Sequence, residues 1–173
     1  AGKKTLTFPN RRNVFVNDEV AHSHGAVYEY RGAEPHIWCK TQEGLGNKNW
    51  IAEWMYANAP AGEDGTRRTY YDSIAIDTAL MAVNDVIAQG AMPAIFTDCV
   101  EVGHSDWFGD KKRSEDFAAG CLKICEEVGM ALPAGESATL KYLVKAEPPV
   151  AQAPILSGSV TGIIAPSGRL VTG

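Results

Sequence analysis

Apolar residues in the first third of the chain fall in short β-branched and aromatic runs. Residues 13–16 (NVFV), 26–30 (AVYEY) and 36–42 (HIWCKTQ) each predict a strand, the last alternating like a half-buried one. His22, Ser23, His24 and Gly25 read as the turn between the first two. Beyond Gly44 and Gly46 the period lengthens. Over residues 49–58, Trp50, Ile51, Trp54 and Met55 share a stripe, predicting a helix whose aromatic face packs inward. Residues 59–65 are a Gly/Pro-rich loop.

The strongest helical signal covers residues 71–89, where Ile74, Thr78, Met81 and Asp85 follow one helical face. Gly90 sits where a left-handed residue would end that helix, and Pro93 blocks continuation. A buried strand follows over residues 94–100. A second helix is predicted over 114–128, with Ser114 as N-cap, Phe117, Cys121, Ile124 and Val128 facing inward, and Gly129 closing it. Residues 130–132 predict a short strand running into a turn at 133–137. Residues 145–154 hold three of the nine prolines and read as a surface loop, and 155–165 as a last strand. Strands alternating with two long helices predict an α/β or α+β domain.

Composition narrows the chemistry. The 173 residues fit one domain, and 45% hydrophobic with 21% charged residues is a globular balance. Sixteen basic against 21 acidic residues give a net charge of −5, which argues against a nucleic-acid binder. No apolar run approaches the roughly 18 residues of a membrane span, and residues 1–7 lack the apolar segment of a signal peptide, so a cytoplasmic protein is expected. Cys39, Cys99, Cys121 and Cys125 lack disulfide-scaffold spacing, and Cys121 with Cys125 reads as a pair of buried structural thiols.

Three acid-bearing segments could carry chemistry. EGLGNK at 43–48 joins a strand to a helix: Gly44 and Gly46 allow close backbone approach, the helix start offers free N–H groups, and Lys48 supplies a point charge suited to phosphate. The alternative is an ordinary glycine turn, since the spacing is not that of a P-loop. On the long helix, Asp77 and Asn84 lie within roughly 20° of one another. Asp85 falls on the stripe of Ile74 and Met81, so it is paired, protonated, metal-bound or capping a neighbouring backbone. Asp98 interrupts a strand and raises the same question. AGES at 134–137 puts Glu136 at the tip of a small-residue turn. Carboxylates from three such segments would suit Mg²⁺ and a nucleotide's phosphates. His22 and His24 could meet a transition metal, although such pairs are common in loops.

The order of EGLGNK (43–48), IDTALMAVND (76–85), QGAMP (89–93), FTD (96–98) and AGES (134–137) resembles the N-terminal domain of the aminoimidazole ribonucleotide synthetase superfamily, which includes the phosphoribosylformylglycinamidine cyclo-ligases. The resemblance runs from about Cys39 to Ala165. It implies an ATP- and Mg²⁺-dependent enzyme acting on a small ribonucleotide in purine biosynthesis, with a mixed sheet packed by two long helices. It also implies a homodimer, in which two such sheets pair into a shared β-barrel. By position, it makes Glu43, Asp85 and Glu136 metal-facing acids, with Asp98 a further candidate. Gly44, Gly46, Lys48, Asn84 and Ser137 would then hold nucleotide and phosphate. It further implies an arm over residues 1–10, the nucleotide-binding domain over 11–166 and the start of an interdomain linker over 167–173, the chain being half of a two-domain enzyme. Against the family's DGVGTK and GGET, Glu43 replaces Asp, Asn47 replaces Thr, Ala134 replaces Gly and Ser137 replaces Thr. Those changes leave open a non-catalytic dimerisation module, or a sibling synthetase or kinase acting on another substrate.

Overall fold

A computed structural model describes residues 2–17 and 27–172. A short helix α1 (Gly2–Thr5) and a 3-10 turn (Phe8–Arg12) lead into a hairpin of β1 (Val14–Val16) and β2 (Tyr28–Tyr30). Then come β3 (Ile37–Gly44), α2 (Lys48–Asn58), α3 (Tyr71–Ala88), β4 (Met92–Val102), the one-turn helix α4 (Asp106–Gly109), α5 (Lys111–Val128), β5 (Ala131–Thr139) and β6 (Ile155–Ile164). His22, His24 and the start of the 26–30 run lie outside the described residues.

The main sheet is mixed and four-stranded, in the order β3-β6-β4-β5, with β4 and β5 parallel and the other pairs antiparallel. One face is covered by the long helices. Ala79, Ala82, Val83 and Val86 of α3 meet Phe96, Val160 and Ile164 of the sheet and Ile124 and Cys125 of α5. On the opposite face, the β1–β2 hairpin covers Ile95, Ala131 and Ile163. The rest of that face lies open, and Trp38 and Ile155 at its ends are exposed. The mixed sheet with two long helices is as expected; among the described residues the sheet is open rather than closed into a barrel.

Both long helices end on left-handed glycines. Gly90 has φ 84° and Gly129 has φ 77°, and the following residue in each case donates back five positions, Ala91 to Val86 and Met130 to Cys125. These are the caps that a missing Cβ permits.

Four expectations need correction. Helix α5 begins at Lys111 rather than beyond Ser114, because the Asp110 carboxylate accepts the Arg113 N–H at 3.1 Å and caps the helix one turn earlier. AGES is not a turn: residues 131–139 form one strand, paired in parallel with β4 from Thr97 opposite Ala134 to Val102 opposite Thr139. Pro133 is tolerated there because β5 is an edge strand and the pairing slips at that point. Helix α2 does not pack through its aromatic stripe. Ile51 and Trp54 are 67% and 43% exposed, and the buried positions are Asn49, Ala52 and Glu53. On α3 the expected stripe is buried only in its first half: Ile74 and Thr78 are buried, Met81 is half-buried, and Asp85 is exposed.

Candidate functional site

The site is built around edge strand β3 and the flank of α3 beside it. Alternate residues of β3 face α3, so Cys39, Thr41 and Glu43 lie on the helix side and Lys40, Gln42 and Gly44 on the open side. Thr41 stands between two acids. Its Oγ1 lies 3.5 Å from Glu43 Oε1 and 3.4 Å from Asp85 Oδ2, and its single hydroxyl proton can serve one of them at a time. Asp85 also helps burial raise the Cys39 thiol above its ordinary value.

The turn after β3 is held by Leu45, which is buried and donates its N–H to Leu156 O at 2.9 Å. Gly46 then takes φ 72°, a left-handed conformation that favours glycine. A Cβ at Gly44 or Gly46 would meet nothing within 4 Å, so the backbone is bare to any ligand there. Lys48 opens α2 and pairs with Asp77 of α3 at 3.1 Å, both side chains about half exposed. Asn84 is exposed on the same helix.

The other two acids are placed differently. Strand pairing sets Glu43, Gly158, Asp98 and Gly135 in one row across the sheet. Asp98 faces the helices, its carboxylate tucked where a Cβ on Gly135 would stand. Burial pushes that carboxyl up from its ordinary value, toward the neutral form. Gly158 makes room in the same row, since a Cβ there would press on Phe96 and on Thr78 O of α3. Glu136, one residue beyond Gly135, points to the open face beside Cys99, and its own Oε1 accepts the Ser137 N–H at 2.9 Å. Burial, Glu101 and Glu136 together raise the Cys99 thiol.

The structure therefore brings Glu43, Asp85, Gly44, Gly46 and Lys48 to one flank. It sets Asp98 two strands away and Glu136 on the other side of the sheet. Among the described residues no three acid, His or Cys side chains gather as a metal cluster. Thr41 was missed from the sequence; its position two residues before Glu43, on the same strand face, was the available signal. A cavity of about 530 Å³ is elsewhere, beyond the ends of β4 and β5, and none of these residues lines it.

A family model described as AIR synthase related protein, N-terminal domain, matches residues 63–164, more than half of the chain. That stretch includes Asp85, Asp98 and Glu136 and begins after Lys48. The phosphoribosylformylglycinamidine cyclo-ligase of Limosilactobacillus fermentum is 36% identical over 94 residues, covering 54% of this chain and 25% of that protein. The cyclo-ligase of Limosilactobacillus reuteri is 33% identical over 130 residues, covering 75% of this chain and 31% of that protein. The chain thus spans about a quarter to a third of the length of these curated relatives. Among solved structures, thiamine-monophosphate kinase from Stenotrophomonas maltophilia matches at TM-score 0.50 and 16% identity, over 94% of this chain and 40% of that one, a likeness of fold. The described residues contain no helix long and apolar enough to cross a membrane. The chain belongs to the AIR synthase related protein family and carries its N-terminal domain.

Proposed function

We propose that this chain is the ATP- and Mg²⁺-binding N-terminal domain of an ATP-dependent cyclo-ligase acting on a ribonucleotide of purine biosynthesis, with residues 11–166 as the domain, 1–10 as an arm and 167–173 as the start of a linker. The observation that carries the reading is the Thr41 hydroxyl set between Glu43 and Asp85, beside the bare turn of Gly44 and Gly46. Two carboxylates sharing one hydroxyl form an all-oxygen donor set, and Mg²⁺ is commonly held by one or two carboxylates, waters and the phosphates it accompanies. The residues fit that group. When bound, it would neutralise phosphate charge.

Each residue then has a role. Glu43 and Asp85 hold the metal, with Thr41 orienting whichever oxygen receives its proton. The N–H groups around Gly44 and Gly46 and the Lys48 ammonium meet phosphate oxygens, while Asn84 and Ser137 support the nucleotide. Asp98, half-buried and pushed by that burial toward its neutral form, is the poorest metal ligand of the four acids. Glu136 would join the set only if β5 moved. The open sheet face, with Trp38 and Ile155 exposed, is the surface through which a second copy would pair.

Titration calorimetry with Mg·ATP tests the reading. Saturable binding is expected, and Asp85→Ala should abolish it. A folded sample that binds nothing at millimolar nucleotide, or an Asp85→Ala variant with unchanged affinity, refutes the metal assignment and leaves a dimerisation module as the better account.

A further inference from the structure

A cavity of about 530 Å³ lies apart from the Glu43–Asp85 flank. It opens beyond the carboxyl ends of β4 and β5, the parallel pair of the sheet: Val102 and Thr139, the last residues of those strands, both line it. In open α/β sheets ligands characteristically bind outside the carboxyl ends of strands. A volume of about 530 Å³ suits a small organic molecule.

Its lining has an unusual charge. The chain has 21 acidic and 16 basic residues, yet no Asp or Glu lines the cavity, whereas His104, Lys141 and Lys145 do. Among the described residues none of those three forms an ion pair, so the two lysine ammonium groups have no carboxylate partner where the surface is concave. Ser105 and Thr139 add hydroxyls. The floor is apolar, with Val102, Trp107 and Val144 buried. Trp107 commits its indole N–H to Glu53 at 2.7 Å, so what it offers the cavity is ring carbon.

The backbone around the cavity is under constraint. Lys141 has φ 47°, a left-handed conformation that a side chain of its kind rarely adopts, and such strain concentrates where a binding geometry is held. Gly103 lets the segment carrying Lys141 and Lys145 close against the end of β4, since a Cβ there would stand 2.5 Å from Val144 O.

We infer that this cavity binds a small organic phosphomonoester, its phosphate on Lys141, Lys145 and His104 and its body against Trp107 and Val144. The site needs no metal because its cations are side chains. Val102 lies four residues beyond Asp98 on β4, about 13 Å along the strand, so the cavity is separate from the Glu43–Asp85 flank.

The test is an amide NMR titration of the wild-type chain, without Mg²⁺ or ATP, using phenyl phosphate, inorganic phosphate and phenol. Phenyl phosphate should give saturable shifts confined to residues 102–107 and 139–146, and bind more tightly than inorganic phosphate. Phenol should give none. Lys141→Ala and Lys145→Ala should each weaken binding about tenfold, the loss expected for one charged hydrogen bond, with the amide spectrum otherwise intact. Asp85→Ala should titrate as wild type, which separates this site from the proposed Mg·ATP site. Shifts centred on residues 43–48, equal binding of inorganic and phenyl phosphate, or unaltered affinity in both lysine variants would overturn the inference.

Discussion

Replacing Arg113 with Met should cost more stability than any other single side-chain truncation at the helix junction, because it strands a buried carboxylate. Glu53 is 4% exposed. Its Oε1 accepts the Tyr71 hydroxyl at 2.8 Å and the Trp107 indole N–H at 2.7 Å, and its Oε2 accepts Arg113 at 2.7 Å. Arg113 also reaches Asp110 at 2.7 Å and lies over the Tyr56 ring, 4.8 Å from its centroid. One carboxylate thus ties α2 to α3, α4 and α5. Burial and the adjacent Glu53 push the Tyr71 phenol up, so that it remains a donor throughout the working pH range.

Breaking a buried ion pair by removing one partner costs about 3–5 kcal/mol, against a total stability of about 5–15 kcal/mol. For a chain of this size each kcal/mol shifts Tm by about 2–4 °C, so Arg113→Met should melt about 10 °C lower. The double variant Glu53→Met, Arg113→Met removes both charges. It should lose less than the sum of the two single variants, the residue of the loss coming from Tyr71 and Trp107 donors left without an acceptor, about 1–3 kcal/mol each. Thermal unfolding followed by circular dichroism, with urea midpoints for the cycle, measures all three. A shift under about 2 °C for Arg113→Met would refute the reasoning, since it would equate this pair with an exposed surface bridge.

Gly120→Ala should lower stability by about 1–3 kcal/mol, because its new methyl would strike the Asp72 carbonyl and Ala75 where α3 and α5 cross; an unchanged urea midpoint would exclude that crossing. Asp98→Asn should be more stable than wild type at pH 7. The folded-state carboxyl is raised by burial, so wild type loses stability as pH climbs from the unfolded value, near 3.9, through the folded one, and the variant does not. Urea midpoints against pH should show that advantage shrinking below about pH 4, and a constant difference would contradict the burial argument. Iodoacetamide at pH 8 should label Cys39 and Cys99 before Cys121 and Cys125, which are buried, the Cys125 thiol pushed up to about 12 by burial and by Asp98 and the Cys121 thiol also raised. Peptide mapping that finds Cys125 among the early products would disprove its place in the core.

What could be read from the sequence was local. A left-handed helix end needs a residue without Cβ, so Gly90 and Gly129 announced where α3 and α5 stop. What could not be read depended on partners far along the chain. AGES looked like a turn because small residues and an acid rarely make a strand alone; it is a strand because β4, some 35 residues earlier, pairs with it. The burial of Glu53 on α2 has no local signal, because its ion-pair partner, Arg113, lies 60 residues away. With Glu53 and Asn49 turned inward, the tryptophan stripe turned out. On α3 the deepest positions include three alanines, Ala75, Ala79 and Ala82, where the helix is pressed by both the sheet and α5, so Met81 was a poor guide to its inner face.

The ion pair between Lys48 and Asp77 does not remove Lys48 from the reach of a phosphate. Both side chains are about half exposed, and pairs of that kind contribute about 1 kcal/mol or less. A hydrogen bond from an ammonium to a doubly charged phosphate is stronger, about 1.5–3 kcal/mol, so exchange of partners is downhill. Asp77 and Asp85 are eight residues apart on α3, about 12 Å along its axis, and each touches the β3–α2 segment, one through Lys48 and the other through Thr41. In the proposed site, an arriving phosphate would displace Asp77 from Lys48 while the Thr41–Asp85 contact stays in place.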